Sequence, residues 1–127
     1  MKILGLDHFV ITTTNLEACL NFYVGLLGMR AEVVNGRYAL YFGKQKINIH
    51  QRPAEFLPAA WHPVAGALDL CFEVKGNIEE IFHELQELQA PLITDVVNRN
   101  GARGPMRSIY LRDPDGNLVE LAEYPKA

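Results

Sequence analysis

The order of elements written between residues 5 and 52 is written again between residues 67 and 123, and no other feature narrows the fold as much. Gly5 to Thr12 is short and β-rich and reads as a strand. A helix start follows, where Asn15 or Thr14 can cap free N–H groups and Glu17 stands in the first turn. Leu16, Leu20, Tyr23 and Leu27 recur at helical spacing, and Gly28 is placed to end that helix in a left-handed conformation. Met29 to Val34 is a second strand. Asn35-Gly36 is the strongest hairpin signal in the chain, and Tyr38 to Phe42 and Ile47 to Gln51 are the strands that follow it. In the second half, Ala67 to Val74 alternates apolar and polar residues. Asn77 caps a helix bearing Ile78, Ile81, Phe82, Leu85 and Leu88, and Pro91 marks its end. Leu92 to Val97 reads as a strand and Asn98 to Pro105 as a loop. Strands Arg107 to Arg112 and Leu118 to Glu123 flank the turn Asp113-Pro114-Asp115-Gly116.

Each half therefore spells β-α-β-β-β. The pattern predicts an α+β fold of one domain over residues 1–127: module one at 1–52, a connection at 53–66, and module two at 67–127. Each module buries one sheet face under its helix, and the remaining faces are expected to combine into a curved sheet around a cleft. The connection holds Pro53, Pro58 and Pro63 with Trp61 and His62 between them. It is long for a compact domain, which suits a linker, a subunit seam or a lid.

Composition narrows the function. Apolar residues form 49% and charged residues 21% of a 14.3 kDa chain, so a core can form without metal or disulfide staples, and a metal here would serve chemistry. A net charge of −3 without a long basic run gives no footing for nucleic acid or an anionic membrane. No apolar stretch is long enough to span a bilayer, and Asp7 and His8 interrupt the N-terminus where a signal peptide needs apolar residues. The expected location is the cytoplasm, with Cys19 and Cys71 as reduced core thiols. No glycine-rich phosphate loop, Gly-x-Ser-x-Gly, Cys-x-x-Cys or dinucleotide fingerprint is present.

Strand alternation picks out the chemistry. His8 points away from Phe9 and Ile11, Asp69 away from Leu70 and Phe72, and Glu120 away from Val119 and Leu121. All three lie opposite the helix-packing faces. One imidazole and two carboxylates are a ligand set for a divalent cation and leave positions open for water or substrate. The same alternation also suits polar residues on a half-exposed sheet with no ligand. Asn48 and His50 share the open side of their strand. Arg103 lies between glycines in a loop of an arginine-rich stretch, where it can clamp an anionic group or stay solvated. Ser108 and Tyr110 share a face with Arg112 and are candidates to line the cleft. His83 reads as a surface histidine.

The segments Leu6-Asp7-His8-Phe9-Val10-Ile11, Phe22-Tyr23-Val24-Gly25-Leu26-Leu27-Gly28-Met29 and Asp113-Pro114-Asp115-Gly116-Asn117-Leu118-Val119-Glu120-Leu121 resemble the opening and close of the vicinal oxygen chelate superfamily. That superfamily includes glyoxalase I, fosfomycin-resistance proteins, extradiol dioxygenases, methylmalonyl-CoA epimerase and bleomycin-binding proteins. Phe42 to Gln51, His62 to Gly66 and Arg99 to Pro105 further resemble the subgroup named glyoxalase domain-containing protein 5, which includes virulence-associated bacterial members.

The resemblance implies metal ligands at His8, Asp69 and Glu120. A fourth ligand position falls on Asn48, with His50 two residues on as a replacement. It implies a divalent-metal-dependent, glyoxalase-like lyase or isomerase acting on a small substrate, anionic or neutral, chelated through neighbouring oxygens. Glu120 is the candidate catalytic base, and Arg103, Ser108, Tyr110 and Asn48 are candidate substrate contacts. The oxygen-rich set favours Mn, Fe, Ni or Co over Zn. Asp69 stands where such enzymes usually carry histidine. A homodimer is expected, with strands swapped or unswapped. The alternatives are a drug- or metabolite-binding protein of the bleomycin-resistance type and an extradiol-type dioxygenase.

Overall fold

A computed structural model describes residues 1–126 and divides the chain into two compact units, Met1–Ala67 and Leu68–Ala127. Both are open four-stranded mixed sheets accompanied by one helical segment, so the α+β arrangement of two βαβββ modules is the observed fold.

In unit one, β1 (His8–Thr12), β2 (Arg30–Val34), β3 (Arg37–Phe42) and β4 (Gln45–His50) form a sheet of order β1-β4-β3-β2. β1 and β4 run parallel; the other pairs are antiparallel. Asn35 and Gly36 both take positive φ, 52° and 75°, the two-residue turn whose twist matches the flanking strands. The helix α1 (Leu16–Leu20) is capped by Asn15, whose side chain accepts from the Ala18 N–H at 3.0 Å. It does not run on regularly to Leu27. It widens into a π-helical segment (Asn21–Leu26), where the Leu27 N–H reaches back to the Phe22 carbonyl, and then ends at Gly28 with φ 77°. The apolar spacing foretold a helix, but not the wider turn within it. Ile11, Cys19, Phe22, Tyr23, Leu40, Ile47 and Ile49 are buried and form the core of this unit.

In unit two, β5 (Asp69–Glu73), β6 (Val97–Gly101), β7 (Gly104–Arg112) and β8 (Leu118–Glu123) form a sheet of order β5-β8-β7-β6, with β5 and β8 parallel. The helix α2 (Ile78–Glu87) starts at Asn77, whose Oδ1 accepts from the Glu79 and Glu80 N–H groups. One expectation is overturned here. Leu92 makes only an isolated bridge to Leu111, while β6 occupies the polar stretch read as loop. Asn98 to Gly101 have weak strand propensity, but β7 supplies a full antiparallel ladder for them, and pairing outweighs propensity. Gly101 is the position that permits this closeness: a Cβ there would collide with the Tyr124 hydroxyl and the Met106 sulfur.

The turn before β8 holds unit two together. Asn117 is fully buried. Its Nδ2 donates to Asp113 Oδ2 at 2.7 Å, and its Oδ1 accepts from the Leu68 N–H at 2.9 Å. Asp113 Oδ1 accepts from the Asp115 and Asn117 N–H groups, both at 2.9 Å. One amide therefore ties the entrance of β5 to the entrance of β8. Asn117→Ala leaves a buried carboxylate oxygen and a backbone N–H with fewer partners. It should destabilise the protein by about 2–3 kcal/mol in urea unfolding, against a few tenths for an exposed substitution such as Lys44→Ala.

Candidate functional site

The parallel ladders of the two sheets are in the same register, and this places His8, Asn48, Asp69 and Glu120 on the open faces. In unit one His8 pairs with Lys46, Val10 with Asn48 and Thr12 with His50. In unit two Asp69 pairs with Leu118, Cys71 with Glu120 and Glu73 with Ala122. His8 thus occupies in its sheet the place Asp69 has in the other. Asn48 occupies the place of Glu120, and His50 lies one row further on, at the place of Ala122. Among the described residues no three His, Cys, Asp or Glu side chains lie close enough together to hold a metal ion.

Asp69 and Glu120 are diagonal neighbours on the open face of sheet two, since Glu120 is the direct partner of Cys71, two residues along β5 from Asp69. Glu120 is the centre of one cross-strand row, Cys71–Glu120–Tyr110. Its Oε2 is buried and has no hydrogen-bond partner. Arg99 Nε donates to the Tyr110 hydroxyl oxygen at 2.9 Å, and its guanidinium lies 5.3 Å from the ring centre. The Tyr110 proton is then free for Glu120. Burial raises the Tyr110 pKa, the Arg99 hydrogen bond opposes that, and the hydrogen bond to Glu120 adds to it. Tyr110 is therefore a hydroxyl donor throughout the neutral range.

Cys71 corrects the expectation of two core thiols. Cys19 is buried, but Cys71 is exposed on the open face. Its thiol is pushed up to about 11, first by the part of its surface that the sheet covers, then by the charge of Glu120 and a hydrogen bond to it, then by Asp69 and Glu73. A thiol held this way is a proton donor and not a nucleophile at neutral pH. The signal was present in the sequence, because Cys71 lies between Asp69 and Glu73 on the polar side of the alternation.

The remaining residues are placed as follows. His8 is half-exposed, and its Nδ1 is 2.7 Å from Asp7 Oδ1. A carboxylate only accepts, so Nδ1 is the nitrogen that donates to Asp7. Arg103 is the second residue of a tight turn between β6 and β7 rather than part of a loop. It is engaged by Glu73 at 2.9 Å and lies 4.2 Å over the Tyr124 ring. Ser108 is fully buried and its hydroxyl oxygen has no partner. Asn48 is half-buried, and His50 is buried against Phe56 at a ring distance of 5.3 Å. His83 is on the surface of α2, and Trp61 is almost wholly exposed.

Residues 5–121 match the model of the Glyoxalase/Bleomycin resistance protein/Dioxygenase superfamily. The chain belongs to this superfamily. Among its relatives, the glyoxalase domain-containing protein RDO1 of Mycosarcoma maydis is 42% identical over 127 residues, spanning all of this chain and 72% of that protein. The virulence protein STM3117 of Salmonella typhimurium is 41% identical over 98% of this chain and 87% of its own. The crystal structure of that virulence protein superposes with a TM-score of 0.94 at 40% identity, covering 98% of this chain and all of the other. A lactoylglutathione lyase from Agrobacterium tumefaciens shares the glyoxalase fold, with a TM-score of 0.75 at 22% identity over 97% of this chain and 96% of that one. Among the described residues no helix is long and apolar enough to cross a membrane.

The electrostatics of the Glu120 row can be read on the thiol. In metal-free protein, alkylation of Cys71 by iodoacetamide should rise with pH to a midpoint near 11. Glu120→Gln removes the neighbouring charge and should lower that midpoint toward the ordinary thiol range. Cys71→Ser should abolish the labelling, since Cys19 is buried.

Proposed function

We propose that the protein is a divalent-cation-dependent enzyme of the glyoxalase type, a lyase or isomerase for a small molecule chelated through neighbouring oxygens. The observation that carries this reading is the buried Glu120 Oε2 with no partner. A buried carboxylate oxygen left unpaired costs on the order of 1–3 kcal/mol, more when charged, and a cation or a substrate proton removes that cost. Asp69 beside it supplies a second anionic oxygen. His8 offers Nε2, with Nδ1 held by Asp7 in the manner usual for a metal-bound imidazole. Donors of these kinds suit a cation with oxygen and nitrogen preference, Mn, Fe, Ni or Co ahead of Zn. When bound, the cation would polarise the two substrate oxygens and stabilise negative charge on them.

The chain's own groups do the rest. Tyr110, fixed by Arg99, orients the Glu120 carboxylate through one hydrogen bond. Glu120 can then accept a proton from carbon next to a substrate carbonyl and return it at the neighbouring atom. Cys71 and Tyr110 stay protonated beside it, so they do not add charge that would repel a developing oxyanion. A homodimer belongs to this reading. Ile3, Leu4, Leu6, Leu57 and Trp61 are exposed, and a second copy would cover them.

Isothermal titration of metal-free protein with Mn²⁺, Co²⁺, Ni²⁺ and Zn²⁺ should give one site per chain for at least one of them. Glu120→Gln should weaken it by about 100-fold or more. Turnover of the methylglyoxal–glutathione adduct, or of an epoxide with a neighbouring oxyanion, should require that cation and fall about 10²–10⁴-fold in Glu120→Gln. A protein that binds none of the four cations overturns the reading.

A further inference from the structure

The open face of sheet one holds a cavity of its own. A cavity of about 620 Å³ is lined by Arg37, Tyr41, Lys46, Asn48, His50 and Phe56, among others. Its size suits a ligand larger than a bare ion. In a chain of net charge −3, this cavity is cationic. Neither Arg37 nor Lys46 has a carboxylate partner among the described residues, whereas nearby Arg30 is neutralised by Glu32 at 2.6 Å.

The two walls differ in chemistry. The Arg37 guanidinium stacks 4.1 Å over the Phe56 ring, which holds its fork in one plane. Phe56 also packs edge-on against His50. Arg37 stands across from His50, since the next pair along the ladder is Tyr38 with Ile49. His50 is only 7% exposed, and its Nδ1 is buried with no partner. His50 stands beside the Asn48 amide on the same side of β4 and lines the cavity with it. A guanidinium, an ammonium, an amide and an imidazole thus line one cavity, with aromatic surface next to them. Arg103, the anion clamp expected from the sequence, is instead occupied by Glu73.

We propose that this cavity binds the oxyanionic end of a small organic acid, a carboxylate or a phosphonate, through Arg37, Lys46, Asn48 and His50. The apolar body of the acid rests on Tyr41 and Phe56. The inference deepens the glyoxalase-type reading and rests on it for the statement that the acid is the substrate. The binding of the acid itself needs no metal, so the two can fail separately.

The test is isothermal titration of metal-free protein with benzoate, phenylphosphonate and benzyl alcohol. At least one acid should bind, with the alcohol about tenfold weaker or more, the effect of one charge-assisted hydrogen bond. A preference for benzoate identifies a carboxylate, and a preference for phenylphosphonate a phosphonate. Arg37→Met and Lys46→Met should each weaken the acid about tenfold. Lys46, half-buried at the cavity, gives a second reading should Arg37→Met fail to fold. Lys44→Met, at an exposed lysine between β3 and β4 that does not line the cavity, should bind the acid as wild type does. Failure of both acids to bind, equal binding of alcohol and acid, or unchanged binding in both Met variants overturns the inference. Acid binding with no cation binding overturns the metal reading and leaves this one standing.

Discussion

The parallel ladder between the first and last strand of each module is the constraint from which the rest of the structure follows. Two parallel strands cannot be joined by a tight turn, so the chain must leave the sheet and return. In each module it does so through one helix and two antiparallel strands before β4 or β8 is laid beside β1 or β5. Side chains alternate with period two, so a slip of one residue would carry every apolar side chain to the wrong face. Phe9 and Ile11 against Ile47 and Ile49 hold the first register. Leu70 and Phe72 against Val119 and Leu121 hold the second. Each fully buried aliphatic side chain here contributes roughly 1.5–3 kcal/mol. That energy fixes where His8, Asn48, Asp69 and Glu120 stand, although none of them contributes to it.

This is also why so much was legible from residues alone. Alternation and spacing are printed in a sequence wherever burial enforces them. The element order, the Asn35-Gly36 hairpin, the Asn15 and Asn77 caps and the Gly28 helix end all rest on local chemistry of that kind. What stayed hidden depends on partners distant in sequence. Asn98 to Gly101 become a strand because β7 lies beside them, and nothing in three polar residues and a glycine announces it. The π-helical widening after Leu20 rests on carbonyl acceptors chosen by packing. The polar sides of β5 and β8 were readable, so the neighbourhood of Asp69 and Glu120 was too. The hold of Arg99 on Tyr110, and of Glu73 on Arg103, required the β6–β7 hairpin to be in place.

The two open faces divide their chemistry. Sheet two carries the carboxylates, and around Glu120 it gathers groups that keep their protons: a thiol pushed up to about 11 and a phenol raised by burial. Sheet one carries donors without matching acceptors. A carboxylate keeps its charge to itself when its neighbours hold their protons, and a cation stays available to an anion when no carboxylate pairs with it.

Asn48 and Glu120 occupy one address in two copies of a single frame. The chain therefore carries its own control. The amide shows that the ladder closes without a carboxylate at that address, so folding makes no demand on it. A position released from folding is free to drift, and drift there alters chemistry and leaves the architecture intact. A duplicated module of this kind can present an amide from one copy and a carboxylate from the other on the same backbone ladder.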